Sequence, residues 1–282
     1  MSDEWFQEKI APDSDTEDGC HPPAAQALKA YLRHQTDAKS GAQSMTQPII
    51  TATNPRDELW RLWTLLEDAL VELPESEIDN LLHLIKAIED LPEPDFSALP
   101  PNHHPPHGKL WKELPGFGHL WSDGYQGGLQ NILARSDPSE RDQLRNQHVR
   151  KAYVEARLAV AGLAGIPLDW GYETVTNALE FRDAVLDFEV PAALQWLVVA
   201  RRCILADADV RKQSWALERD SSLWKGEKVM THRRWAFWVD RLSKLRDESE
   251  VVRNAVDYAL LEKSIGLQEE SRGQIDNVAK RD

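Results

Sequence analysis

The residues best suited to contact a ligand lie at the start of a predicted helix. Thr231 is a good N-cap residue, and Arg233 and Arg234 fall in the first turn after it. Cations in that turn oppose the helix dipole unless a negative group balances them, and the free N–H groups of a helix start can hold an anion. Arg233 and Arg234, with Trp224 and Lys225 close in sequence, are therefore the predicted contacts for an acidic or flat ligand.

The alternative is that these basic side chains pair with carboxylates of the protein itself. The carboxylates considered for that role are Glu180, Asp183 and Asp187. Ion pairs within a chain are a common use of charged residues on helices, and the sequence favours this second interpretation.

A histidine-rich stretch raises the question of a metal site. His103, His104 and His107 lie within residues 91–108, a segment with six prolines that excludes a helix. A transition-metal site needs ligands held in fixed geometry with second-shell support, which a proline-rich loop does not supply. We expect a solvated surface loop and no metal.

Catalytic patterns are weak in this sequence. Glu173, Glu180 and Asp183 could serve as paired carboxylates, but helical spacing produces such pairs by chance in a chain with 28% charged residues. The sequence contains no Gly-rich phosphate loop, no His-Glu-x-x-His and no Gly-x-Ser-x-Gly. We therefore expect no catalytic residue and no cofactor, and the sequence favours a protein that is not an enzyme.

Charge and cysteine content limit the possible partners and compartment. The formal net charge of −14 argues against nucleic acid and anionic membranes as partners. Cys20 and Cys203 offer no disulfide framework, which fits a reducing compartment. The N-terminus has no signal sequence, and the longest apolar run, residues 190–200, is shorter than the roughly 20 residues of a membrane span. We expect an intracellular protein in the cytoplasm, with the nucleus as the alternative.

Hydrophobic spacing predicts an all-α fold. Leu, Ile, Val and Trp recur every three to four residues, and no segment alternates with period two. We expect a single irregular bundle or orthogonal array of helices over residues 55–265, interrupted by the Pro/His-rich surface loop at 91–108. Residues 1–54 read as a mostly disordered acidic arm with one short helix from Ala24 to about Gln35, and residues 266–282 as a frayed polar tail.

Eleven tryptophans are a high count for this length. Four fall on apolar helical faces and are predicted to fill the core: Trp63, Trp196, Trp235 and Trp238. The neighbours of Trp5, Trp60, Trp215 and Trp224 are polar, so these four could lie either in the core or in a binding surface.

Three stretches resemble a known family. They are the eight residues from Leu110 to Phe117, the seven from Val190 to Trp196, and Leu223-Trp224-Lys225-Gly226 followed by the stretch from Arg234 to Trp238. Together they resemble a fungal family known as domain of unknown function 3632, over roughly residues 59–262. The resemblance implies an intracellular helical fold and brings no activity, cofactor or catalytic residue.

Two functions follow as hypotheses. The first is a non-catalytic helical module that binds another protein or a peptide, indicated by the missing catalytic patterns, the proline-rich loop and the acidic arm. The alternative is a small-molecule binder or an unrecognised enzyme with a pocket lined by Trp and Arg side chains.

Overall fold

A computed structural model of the chain describes residues 2–97, 100, 103–105, 108–123 and 136–255. Within these residues the regular structure is helical, with thirteen α-helices and two short 3-10 turns and without a β-strand. The predicted all-α fold class is therefore confirmed. The expected tail at 266–282 lies outside the described residues.

The chain divides into two compact units, whereas the sequence predicted one domain. Unit 1 comprises residues 1–129 and 161–166, and unit 2 comprises 130–160 and 167–282. The helices of unit 1 are α1 Asp3–Ile10, α2 Pro22–Leu32, α3 Ala38–Ile50, α4 Pro55–Glu72, α5 Ile78–Glu89 and α6 Phe117–Asp123. Those of unit 2 are α7 Pro138–Ala161 (Ala161 itself belongs to unit 1), α8 Leu168–Glu180, α9 Leu186–Val199, α10 Arg201–Asp209, α11 Trp215–Glu218, α12 His232–Glu248 and α13 Glu250–Ala255.

The N-terminal segment differs from the mostly disordered arm that the sequence predicted. Residues 1–54 contain α1, α2 and α3, and α3 contacts both α2 and α5. The short helix predicted from Ala24 is present as α2. The stretch expected to be a linker is α3, in which Met45 and Ile49 are fully buried and Asp37 caps the first turn by accepting from the Ser40 N–H at 2.7 Å.

Helices α4 and α5 begin and end close to the predicted positions. Pro55 occupies the first position of α4, where its missing N–H costs nothing. Pro74 follows the end of α4, and the chain passes through a 3-10 turn at Glu75–Glu77 into α5. The apolar positions of both helices, including Leu62, Leu66 and Ile85, are buried as their spacing predicted.

The described part of residues 91–108 contains no α-helix, as its prolines predicted. Its end is fixed by Glu93, whose carboxylate accepts from the backbone N–H groups of Leu110, Trp111 and Lys112 at 2.6, 3.1 and 3.0 Å. The Glu93 carboxylate thus satisfies three backbone N–H groups that lie outside any helix or strand. His107 lies outside the described residues.

The core of unit 2 forms around α8, α9 and α12. The apolar run after Pro191 predicts a helix that starts at this proline, but α9 begins at Leu186, and Phe188 and Val190 before the proline are also fully buried. The helix ends at Val199 and α10 continues to Asp209. Residues 206–230, for which the sequence predicts irregular structure, are therefore partly helical. None of the helices in the described part of the chain is long and apolar enough to cross a membrane.

The tryptophans predicted to be in the core are confirmed there. Trp63 and Trp196 are 1% and 0% exposed, and Trp235 and Trp238 are 6% and 0% exposed. The indole N–H of Trp63 donates to the carbonyl of Pro115 at 3.0 Å. A buried indole needs such a partner, so this bond helps to fix the segment before α6 on α4.

Candidate functional site

The start of α12 has the local structure that the sequence predicted. The Thr231 hydroxyl accepts a hydrogen bond from the Arg234 backbone N–H at 3.1 Å, which caps the helix. The His232 ring nitrogen Nε2 lies 2.7 Å from Oδ1 of Asp209, near the end of α10. One backbone donor of the first turn is therefore already satisfied by the cap.

Arg234 points into the protein and pairs with Glu180, the last residue of α8. Arg234 Nε and Nη2 donate to the two carboxylate oxygens of Glu180 at 2.7 and 2.8 Å, and both residues are 0% exposed. Arg234 Nη1 also donates to the carbonyl of Leu217 at 3.0 Å. The two residues form a bidentate, fully buried ion pair with additional hydrogen bonds. Burying two charges costs the least free energy when they are paired and hydrogen-bonded in this way.

Glu180 also joins two further parts of unit 2. Its carboxylate accepts from the Trp238 indole N–H at 2.7 Å, and its backbone carbonyl accepts from the Leu223 N–H at 2.9 Å. The Arg234 guanidinium lies 5.6 Å from the Trp224 ring centroid and 6.0 Å from that of Trp238. The network of Glu180, Arg234 and Trp238 therefore connects α8, α12 and the segment before α12.

The interpretation in which the basic residues pair with the protein's own carboxylates is confirmed for Arg234. Its partner is Glu180, one of the three carboxylates that the sequence singled out. Asp187 pairs instead with Arg141 of α7, and Asp183 is exposed. Because its donors are used internally, Arg234 has a structural role, and a ligand would have to disrupt the core of unit 2 to reach it.

The other three predicted contacts lie at the surface of unit 2. Lys225 and Arg233 are exposed, and Trp224 is half-buried with its indole N–H bonded to the Glu227 carbonyl at 3.0 Å. The Arg233 guanidinium lies 6.0 Å from the Trp224 ring centroid, and Lys225 Nζ donates to the Ser221 carbonyl at 2.7 Å. These side chains are accessible to a partner from solvent, in contrast to Arg234.

This surface continues across the turn between α10 and α11. The Met230 N–H donates to the Lys212 carbonyl at 2.9 Å, and Arg211 pairs with Glu227 at 2.7 Å. Here Val210 is 70% exposed and Trp215 is 50% exposed. We define the basic-aromatic surface as Val210, Arg211, Lys212, Trp215, Lys225, Lys228 and Arg233.

Only some of the cations of the basic-aromatic surface are neutralised. Arg211 pairs with Glu227, and Lys228 pairs with Asp220, which holds the pKa of that aspartate below its usual value. Lys212, Lys225 and Arg233 form no ion pair within the described part of the chain. A locally positive surface on a protein of net charge −14 is thus the clearest electrostatic feature of unit 2.

Unit 1 contains a cleft that the sequence did not indicate. It has a volume of about 300 Å³ and lies between residues 8–20 and α4. We call it the Trp60 cleft. Its lining is Glu8, Lys9, Pro12, Asp13, Asp18, Gly19, Cys20, Trp60, Arg61, Thr64, Leu65 and Asp68.

The wall of the Trp60 cleft formed by residues 10–19 is a loop closed at its base. The Cys20 N–H donates to the Lys9 carbonyl at 2.8 Å, and Arg61 Nη1 donates to the Gly19 carbonyl at 2.5 Å. A Cβ atom at Gly19 would lie 1.9 Å from the Ile10 carbonyl oxygen, so only glycine allows this approach of the two chain segments. Cys20 is 6% exposed, and burial raises the pKa of its thiol to about 11.

The remaining candidates for chemistry do not form a common site. Among the residues that the structure describes, no group of three or more His, Cys, Asp and Glu side chains is placed to hold a metal ion. Of the carboxylates considered for acid–base work, Glu180 is bonded to Arg234, and Glu173 lies 3.7 Å from Arg219. Burial raises the pKa of Glu173, but no partner geometry for proton transfer accompanies it.

The protein is all-α. Unit 2 contains the buried network of Glu180, Arg234 and Trp238 and the basic-aromatic surface, and unit 1 contains the Trp60 cleft. A family model described as "Protein of unknown function (DUF3632)" matches residues 63–242, and the chain belongs to this family. Neither the curated proteins nor the solved structures contain a match to the chain. The resemblance read from the sequence is therefore confirmed, while a fungal source stays a prediction.

Proposed function

We propose that the protein is a non-catalytic interaction module of the cytoplasm that binds another protein through the basic-aromatic surface. The observation that carries the proposal is the exposure of Val210 and Trp215, at 70% and 50%, among cations. The exposure of large apolar side chains to water is unfavourable, so covering Val210 and Trp215 on binding is expected to lower the free energy. Trp and Arg are also the residue types most often found at the energetic centre of protein interfaces.

The local charge also favours the basic-aromatic surface as the binding site for a protein partner. Lys212 and Arg233 carry positive charge that no carboxylate neutralises within the described residues. Such charge speeds the encounter with an acidic partner and repels basic ones. The buried network beneath the surface holds the segment before α12 in place, so the surface is presented by a rigid framework rather than by a mobile loop.

The test compares two double variants of the full chain. Trp215→Ser with Lys212→Glu alters the basic-aromatic surface, while Ile50→Ser with Lys39→Glu replaces an exposed apolar residue and a lysine by the same residue types on α3. Each protein is purified from its source cells under gentle conditions, and co-purifying proteins are quantified by mass spectrometry. We expect a partner recovered with the parent and the α3 variant and reduced at least about tenfold with the surface variant.

Two results would contradict this function. Recovery of only the monomer from all three preparations would count against an interaction module, and undiminished recovery of the partner with the surface variant would place its binding site elsewhere. Circular dichroism of each variant checks that the helices are intact.

The second candidate function is binding of a small molecule, and the observation that favours it is the Trp60 cleft. The sequence predicted ligand contacts at Arg233, Arg234, Trp224 and Lys225, whereas the Trp60 cleft is lined by a different Trp and Arg, Trp60 and Arg61. Its volume of about 300 Å³ is at the lower end of the range for ligand sites. A thermal-shift screen with metabolites, repeated on Trp60→Ala, tests the function: a shift in the parent that the variant loses would support it.

A further inference from the structure

The Trp60 cleft has an uneven distribution of charge. Lys9 Nζ lies 2.9 Å from Asp68 and 2.8 Å from Glu72, so its charge is balanced within the protein. Arg61 Nε lies 3.2 Å from Glu58, and its Nη1 donates to a backbone carbonyl. Both cations that line the cleft are therefore already occupied.

The carboxylates at the cleft are less well satisfied. Glu8, Asp13 and Asp18 line it and form no ion pair within the part of the chain that the structure describes. Asp68 does pair with Lys9, yet burial raises the pKa of its carboxyl. The charge available to a ligand in the cleft is thus negative, and an anionic ligand would meet repulsion.

The apolar part of the cleft lies beside these carboxylates. Trp60 is 41% exposed, and Pro12 and Leu65 also line the cleft. Cys20 contributes a side chain that is more than nine-tenths buried, and its thiol makes no hydrogen bond to another described residue. The Arg61 guanidinium already lies 4.9 Å from the Trp60 ring centroid, so the exposed part of the ring offers a ligand an apolar contact, and the carboxylates offer the charge.

We propose that the Trp60 cleft binds a small organic amine in its protonated form. The negative charge of Glu8, Asp13 and Asp18 attracts the ammonium group, and the apolar body packs against Trp60 and Cys20. The inference rests on the second candidate function, since it names the ligand class for the same cleft. An inorganic cation fits less well, because the cleft has apolar walls and no group of three ligating side chains converges in the described residues.

Three probes of similar shape and different charge test the ligand class. They are phenethylamine, 2-phenylethanol and 3-phenylpropionate, which at pH 7 are a cation, a neutral molecule and an anion. Binding of each probe to the full chain is measured by calorimetry at pH 7. We expect phenethylamine to bind at least about tenfold more tightly than 2-phenylethanol, and 3-phenylpropionate not to bind.

Variants show whether the probes bind in the Trp60 cleft, and they distinguish the amine inference from the more general small-molecule function. Trp60→Ala and Asp18→Asn are expected to weaken phenethylamine binding by about tenfold each, while Ile50→Ala, on α3 away from the lining residues, leaves it unchanged. If 2-phenylethanol or 3-phenylpropionate binds as tightly as phenethylamine and Trp60→Ala weakens that binding, the amine inference is wrong and the small-molecule function stands. If none of the three binds, the inference is overturned, and the metabolite screen then decides the second candidate function independently.

Discussion

Glu180 and Arg234 stabilise unit 2 as a pair. If either residue is replaced by an uncharged one, the other is left as an unpaired buried charge. Arg234→Met leaves a carboxylate with 0% exposure whose one remaining hydrogen-bond donor among the described residues is the Trp238 indole N–H. Breaking such a pair costs about 3–5 kcal/mol. We expect the free energy of unfolding, measured by urea denaturation, to fall by about that amount for Arg234→Met.

The exposed pair of Arg219 and Glu173 provides the control. Both side chains are about 40% exposed, at 40% and 42%, so Arg219→Met should change the free energy of unfolding by less than about 1 kcal/mol. The double variant Arg234→Met with Glu180→Leu removes the unpaired charge and should recover part of the loss. Equal effects of Arg234→Met and Arg219→Met would show that the buried pair does not have this structural role.

Cys20 should react slowly with alkylating reagents even in alkaline solution. Only the thiolate reacts, and burial raises the pKa of this thiol from an ordinary 9.0 to about 11. At pH 9 the thiolate fraction is then about one hundredth instead of about one half, a difference of roughly 50-fold. In a Cys203→Ser background, we expect the alkylation rate at pH 9 to rise by at least this factor on unfolding in urea; an unchanged rate would show that Cys20 is accessible.

The sequence identified part of this chemistry and missed the rest for physical reasons. The basic first turn of α12 predicted that a negative group must lie nearby, and Glu180 was among three carboxylates considered. The choice of Glu180 depends on how α8 and α12 pack, which residue spacing does not determine. The Trp60 cleft depends on the path of residues 10–19, where the signals are one proline and four acidic residues, which are equally typical of a disordered segment.

At the scale of the element, two glycines allow helices to approach closely. A Cβ atom at Gly171 in α8 would lie 2.4 Å from the Trp196 ring of α9, whereas one at Gly41 in α3 would lie 3.3 Å from Cβ of Tyr31 in α2. Helix propensity alone favours alanine over glycine by about 1 kcal/mol. The fit against the neighbouring side chain decides whether that gain is realised.

We therefore expect Gly171→Ala to destabilise unit 2 by about 1–3 kcal/mol, because the ring of Trp196 must move in a packed core. Gly41→Ala should have a much smaller effect, since its neighbour needs to move by only a few tenths of an ångström. Thermal unfolding followed by circular dichroism compares the two. A Gly171→Ala protein as stable as the parent would indicate that Trp196 can shift without cost.

The helices were predictable where proline and a capping residue mark the ends. Pro55 and Pro74 gave the limits of α4, and Thr231 gave the start of α12. Helix α3 was missed because its sequence is rich in Gly, Ser, Gln and Thr, which also form linkers. Its few apolar residues, such as Met45 and Ile49, become informative only once α2 and α5 are known to cover them.

At the scale of the whole molecule, the N-terminal 54 residues are part of unit 1. Helix α3 contacts α5, in which Leu84 and Ile85 are fully buried. Removal of residues 1–54 should expose this apolar surface, and unit 1 should lose its stable fold. Hydrogen exchange of the amides of α5 measures this directly: we expect protection in the full chain and its loss in the truncated one. Unchanged protection would restore the view of residues 1–54 as a dispensable arm.

Residues 10–19 lie outside the part of the chain that the family model matches. The stretch shared with the family, 63–242, contains Glu180, Arg234 and Trp238, but leaves out the loop together with Trp60 and Arg61. The family match therefore covers the buried network of unit 2 and only part of the lining of the Trp60 cleft, namely Thr64, Leu65 and Asp68. A protein that shares only residues 63–242 with this chain would keep the buried network and lack Trp60 and Arg61, so we expect it not to bind the amine proposed for the cleft.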